Sequence, residues 1–184
     1  FIREGVINGL TVPEMFKANG DEYSKSAAGS SGRKTLAGIA QGILKRGGNI
    51  NWRGIKLARD DEQALRDIAI LGQIIKDPRV EHSALVFLDE NNTIVGRPEV
   101  WSSRTFGSVD KLVEGMDDLV AIAASLGATR VVGIHNHPTG NTTPSKADED
   151  VAIAVSKRFM GYGIEHVAEV IVDEKEFSVM NPVT

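Results

Sequence analysis

The stretch Thr129-Arg-Val-Val-Gly-Ile134, followed by His135-Asn-His-Pro-Thr-Gly-Asn-Thr-Thr-Pro-Ser-Lys-Ala-Asp148, constrains this chain more than any other. Its apolar, β-branched start reads as a strand. Pro138 and Gly140 then punctuate a turn, and Pro144-Ser145 opens a helix with Ser145 as its N-cap. Histidines at i and i+2 on extended chain point the same way, because strand side chains alternate. The turn and the helix start can return Asp148 to the same spot. Two imidazoles and a carboxylate make three zinc ligands and leave the fourth position for water, the pattern of a catalytic rather than a structural site.

Other elements follow from periodicity. Asp60 or Asp61 caps a helix with Leu65, Ile68, Ala69, Leu71, Ile74 and Ile75 on one stripe, ending near Asp77-Pro78. Ser83–Leu88 reads as a buried strand. Asp89-Glu-Asn-Asn92 turns it into a return strand at Thr93-Ile-Val-Gly96, which Glu99-Val-Trp-Ser continues. A helix capped by Ser108 runs through Met116 and Ala123 to Gly127. Another spans Ser145–Tyr162, and a last hairpin pairs Ala168–Val172 with Glu176–Met180. The order α-β-β-α-β-α-β-β predicts an α/β fold, a mixed sheet covered by helices.

Residues 1–59 carry different signals. Residues 1–60 hold 10 Lys/Arg against 5 Asp/Glu, while residues 61–184 hold 11 against 20, under a net charge of −4. A helical spacing over Leu36, Ile39, Ala40, Ile43 and Leu44 follows a small-residue segment, Lys25–Lys34, and Pro13–Lys17 reads as a helical turn. These features predict a basic accessory arm of short helices or loops over 1–59, and a domain over 60–184 that folds without it. Phe1 in place of methionine is read as a sign of a processed product or a piece of a longer protein. No secretory signal and no apolar run of bilayer length is visible, so no membrane role and a cytoplasmic location are expected. The chain has no cysteine, which excludes disulfides and thiolate metal sites.

His135, His137, Ser145 and Asp148 together resemble the JAMM motif of the MPN/JAB metallopeptidases. The wording His-Asn-His-Pro-Thr-Gly, the strand-turn-strand Leu85–Val95 and the stretch Gly163-Ile-Glu to Val170-Ile-Val are most similar to the bacterial RadC branch. The resemblance covers about residues 62–180. It implies a three-layer, cytidine-deaminase-like MPN/JAB fold and a Zn2+ held by His135, His137 and Asp148. It further implies that Glu81, just before the first strand of the resemblance, acts on the bound water, and that Ser145 hydrogen-bonds the water or the oxyanion. The implied activity is hydrolysis of a peptide or isopeptide amide, with a peptide or ubiquitin-like conjugate as substrate. The branch usually reads Leu-Asp-His where this chain has Val167-Ala168-Glu169; those positions are not metal ligands in the family.

Each residue also has a plainer reading. Asp148 alone would be a first-turn carboxylate favoured by the helix dipole, and Ser145 a simple cap. Glu81 alone would be a solvated residue between elements, with Glu99 and then Glu169 as rival bases. His82 and His166 lack partners at ligand spacing and read as surface or outer residues. Trp52 and Trp101 read as packing anchors. His135-Asn136-His137 spells HNH, but HNH nucleases spread those residues over a ββα unit, and zinc deaminases need a cysteine pair. The competing function is a RadC-like accessory module in DNA repair or mobile-element proteins, without peptidase activity and with nucleic acid contacted through the arm.

Overall fold

A computed structural model of the protein describes residues 2–6, 52–75, 79–102, 109–173 and 176–181. In chain order its elements are β1 (Ile2–Val6), α1 (Asp61–Gly72), β2 (His82–Leu88), β3 (Glu99–Ser102), α2 (Val109–Ser125), β4 (Arg130–Asn136), α3 (Lys146–Met160), β5 (Glu165–Val172) and β6 (Glu176–Met180). β2 to β6 form a mixed sheet, and β1 extends it at the β6 edge, giving the order β1-β6-β5-β4-β2-β3. Among the described strands only β4 and β5 run parallel, which requires the α3 crossover between them. From α1 onward the element order is the one the periodicity predicts, and the α/β architecture is consistent with the fold that the resemblance implies.

Side-chain alternation sorts the sheet into two cores. Ala84, Val86 and Leu88 of β2, Val132 and Ile134 of β4, and Val170 and Val172 of β5 pack with Leu65, Ile68 and Leu71 of α1. On the opposite face Leu85, Phe87 and Val131 meet Met116, Val120 and Ala123 of α2, and Val155 and Phe159 of α3. Asp60 caps α1 by accepting the Gln63 amide at 2.9 Å. The result is three layers with helices on both faces.

Two sequence expectations change. The return strand of the first hairpin is Glu99–Ser102, paired with His82–Leu85. Thr93 and Ile94 make only isolated bridges, to Lys56 and Leu88. Gly96-Arg-Pro98 intervenes, and proline cannot donate to a ladder. The second change concerns residues 1–59 as a separable arm. Trp52 (1% exposed), Ile55 and Leu57 belong to the α1-side core. Gly54 N donates to Ile94 O at 2.7 Å, Ile94 N to Ile55 O at 2.9 Å and Leu57 N to Asn92 O at 3.0 Å. The expected boundary at residue 60 therefore runs through packed structure. The reversal of charge there reports surface sign, which is independent of what lies beneath. Strand β1 likewise pairs with β6, from Ile2 opposite Met180 to Val6 opposite Glu176. The helices and loop expected within 7–51, and the Ser108 cap, lie outside the described residues.

Trp52 is thus a packing anchor, as its type suggests. Trp52→Ala should lower unfolding stability by about 3–5 kcal/mol in urea denaturation, the usual cost of emptying an aromatic site. A chain beginning at Asp60 should lose more, contrary to the expectation of an independent domain.

Candidate metal centre

β4 delivers His135 as its penultimate residue, and the chain leaves the sheet at Asn136. Gly140 N donates to His137 O at 2.9 Å to close the turn, and Gly140 takes φ +77°, a conformation that glycine adopts without a Cβ clash. Thr143 N donates to Asn141 Oδ1 at 2.8 Å, an Asx-type turn that aims the chain into α3. The buried Ser178 hydroxyl of β6 donates to Thr142 O, tying this loop to the far hairpin.

Ser145 is the N-cap of α3 and forms a reciprocal capping box with Asp148. Its Oγ accepts from Asp148 N at 3.1 Å, and its own N–H donates to Asp148 Oδ2 at 2.7 Å. The cap therefore fixes the direction of the Asp148 carboxylate. His135, His137 and Asp148 each offer a ligand atom, all within 4.8 Å of one another. Nε2 of His137 lies 3.0 Å from Asp148 Oδ2, and Nε2 of His135 lies 3.5 Å from Oδ1.

The ring nitrogens show how well this cluster fits a metal ion. His137 Nδ1 lies 2.7 Å from the Asn141 carbonyl. A carbonyl only accepts, so Nδ1 carries the proton and Nε2 is the nitrogen left for the cluster. His135 Nε2 is buried and has no hydrogen-bond partner. Two Nε2 atoms and a carboxylate converging in this way match the donor set of a zinc or similar divalent-cation site.

Charge around the cluster is coupled. Burial disfavours the charged form of His135, but Asp148 and Glu169 outweigh it and push its pKa up to about 9. Asp148 raises that of His137 too. Burial opposes ionisation of Asp148, yet the two histidines and the capping amide hold its carboxyl far below the usual range. Glu169 is lowered likewise by His135 and His166 against the effect of burial. Without metal, His135 binds its proton more tightly folded than unfolded. Its stabilising contribution is complete below its ordinary value of 6.5 and lost as pH rises through about 9. That of Asp148 is present above 3.8 and lost on acidification. In chelator, the protein should therefore be most stable between these limits and weaken towards pH 9. Zinc should stabilise it most on the alkaline side, where the nitrogens are free to ligate. Denaturant melts across pH, with and without zinc, check this.

Glu81 is not part of the three-residue cluster. It precedes β2 by one residue and is half-buried. Ser83, two residues on, pairs with His135, which puts Glu81 at the end of the sheet where the histidines emerge. Asn136 holds this segment on both sides of Glu81. Its Oδ1 accepts from His82 N at 2.7 Å, and its Nδ2 donates to Val80 O at 3.3 Å. Glu99 pairs with Leu85, which in turn pairs with Gly133, so it lies two residues back along the sheet from His135. Glu169 is buried behind His135, 3.7 Å from Nδ1 rather than near Nε2. His166, read from sequence as a surface or outer residue, is 3% exposed and lies 3.0 Å from Glu169. The sequence reading gave Asn136 and the Asn141 carbonyl no role. A backbone carbonyl leaves no trace in residue type, but a carboxylate inside the apolar run Val167–Val172 was a signal for Glu169.

The sequence profile of the RadC-like JAB domain matches residues 62–182. A UPF0758 protein of Geobacillus thermodenitrificans strain NG80-2 is 28% identical over 174 residues, covering 94% of this chain and 70% of its own length. One from Geobacillus sp. strain WCH70 is 25% identical over 176 residues with the same coverage. These alignments extend well into residues 1–59, ahead of the stretch at about 62–180 that carries the motif resemblance. A UPF0758 protein of Staphylococcus aureus strain RF122 is 23% identical over 104 residues, 44% of its length. Among the described residues, no helix is long and apolar enough to cross a membrane. With the profile covering well over half of its length and the motif residues gathered as described, the chain belongs to the RadC-like JAB domain family.

Proposed function

We propose that this protein is a zinc-dependent hydrolase that cleaves a peptide or isopeptide amide bond, with an extended peptide or a ubiquitin-like conjugate as substrate. The observation that carries the reading is the convergence of one ligand atom each from His135, His137 and Asp148, all within 4.8 Å of one another, on a strand-to-helix turn. Three protein ligands leave a coordination position for water, which separates a catalytic from a structural site. Zinc held there would lower the pKa of a water towards 7 and polarise the scissile carbonyl.

The chain's own groups supply the rest. Glu81 accepts the proton of the attacking water as its oxygen bonds to the carbonyl carbon, then returns it to the nitrogen as the C–N bond breaks. Asn136 holds the backbone on either side of Glu81. The Ser145 hydroxyl already accepts from Asp148 N, so its own proton is available to a developing oxyanion. The products are a carboxylic acid and an amine, with no other reactant consumed.

The test is cleavage of isopeptide-linked and linear peptide substrates by the purified chain. Cleavage should be lost with chelator and restored by zinc. A protein that binds zinc fully and cleaves no amide in such a panel would favour the accessory role in DNA transactions. The basic residues that motivate that role lie mostly among 7–51, outside the described residues.

A further inference from the structure

The wall behind His135 is built on a strand irregularity. Val131 of β4 pairs with His166 of β5, but Val132 pairs with Ala168, so Val167 is an extra residue on β5. In a regular strand, residues three apart face opposite sides. The bulge at Val167 instead puts His166 and Glu169 on one side, with His166 Nε2 3.0 Å from Glu169 Oε1. Bulges recur beside functional sites because they re-aim a side chain in this way. Glu169 pairs with Gly133, two residues before His135, and a Cβ on Gly133 would collide with its carboxylate. Glycine at 133 therefore leaves the gap through which Glu169 reaches to 3.7 Å from His135 Nδ1.

We infer that Glu169, set beside His166 by the bulge at Val167, is a positioning residue that presents His135 Nε2 to the metal site. The inference rests on the metal reading proposed above. At 3.7 Å the contact is electrostatic rather than a hydrogen bond, and an ionised carboxylate, which offers no proton, favours the tautomer with the proton on the ring nitrogen that faces it. The lone pair is then left on Nε2, which faces Asp148 at 3.5 Å. Glu169 also supplies charge. Two neutral imidazoles and one carboxylate leave a divalent cation with net positive charge in a partly buried setting, and a second carboxylate behind the ligand neutralises it. A buried carboxylate is costly unless paired, and here both its neighbours are imidazoles. An outer carboxylate of this kind orients a metal-binding histidine and raises its basicity.

The experiment measures the affinity of the full chain for Zn2+ by competition with a chromophoric chelator at fixed pH. Glu169→Gln has the volume of glutamate but no charge, so a merely space-filling role would leave its affinity at the wild-type value. The expected result is a loss of about 10-fold in Glu169→Gln and up to about 100-fold in Glu169→Ala. Both should keep one site per chain at saturating zinc and the wild-type circular dichroism. Gly133→Ala keeps every polar group but displaces the carboxylate, and should lose affinity too. Wild-type affinity in Glu169→Gln and Glu169→Ala overturns the inference and leaves the metal reading standing. A wild-type chain that binds no zinc overturns both. If Glu169→Ala does not fold, the isosteric Glu169→Gln decides.

Discussion

Replacing His137 with alanine should take bound zinc from about one equivalent per chain to near zero, because the proposed site draws on three protein ligands among the described residues. His137 Nε2 faces Asp148 at 3.0 Å, and the Asn141 carbonyl fixes the ring from behind. The ring leaves the sheet on a loop and belongs to neither apolar cluster, so its removal should spare the fold. The loss of affinity should exceed the roughly 10–100-fold that removing an outer partner of a ligand costs. Metal analysis of the dialysed variant beside wild type, with circular dichroism as the control for folding, checks it. A full equivalent of zinc in folded His137→Ala would refute the ligand assignment.

Glu81→Gln should keep zinc and fold and lose about 10²–10⁴-fold in turnover, the range for a proton-transferring side chain. An amine anion is a very poor leaving group, so the proton taken from water must reach the nitrogen as the C–N bond breaks. Glutamine matches glutamate in size and hydrogen bonds but cannot take that proton. Register makes the contrast with Glu99 sharp. Glu81 stands next to the strand position that hydrogen-bonds Asn136, between the two histidines, whereas Glu99 aligns with Gly133. Glu99→Gln should therefore turn over close to wild type. An inactive Glu99→Gln would move the base to Glu99, and full activity in both variants would remove the carboxylate from the mechanism.

The motif was legible because its geometry is local. Two histidines at i and i+2 share a side in any strand, and a capped helix starting at Ser145 places Asp148 in its first turn with its amide on the cap. Helix α1, helix α3 and the last hairpin were equally readable, each from periodicity bounded by a cap or a turn. The return strand was placed too early because Thr93-Ile-Val95 has strand composition, yet strand composition does not say which neighbour has a free edge. Opposite charge on either side of residue 60 suggested two units, although Trp52, Ile55 and Leu57 lie in one core with α1.

By itself, the sequence determined the strand-to-helix unit and the meeting of His135, His137 and Asp148 upon it, since both depend on spacing within about twenty residues of chain. Only the tertiary structure decided what stands around that unit. The Glu169 carboxylate reaches His135 because a bulge on β5 meets a glycine on β4, strands joined through a whole helix. Asn136 fixes the chain beside Glu81 across 54 residues. Such contacts depend on register between distant strands, and register is set by the collective packing of both sheet faces rather than by any short run of residues.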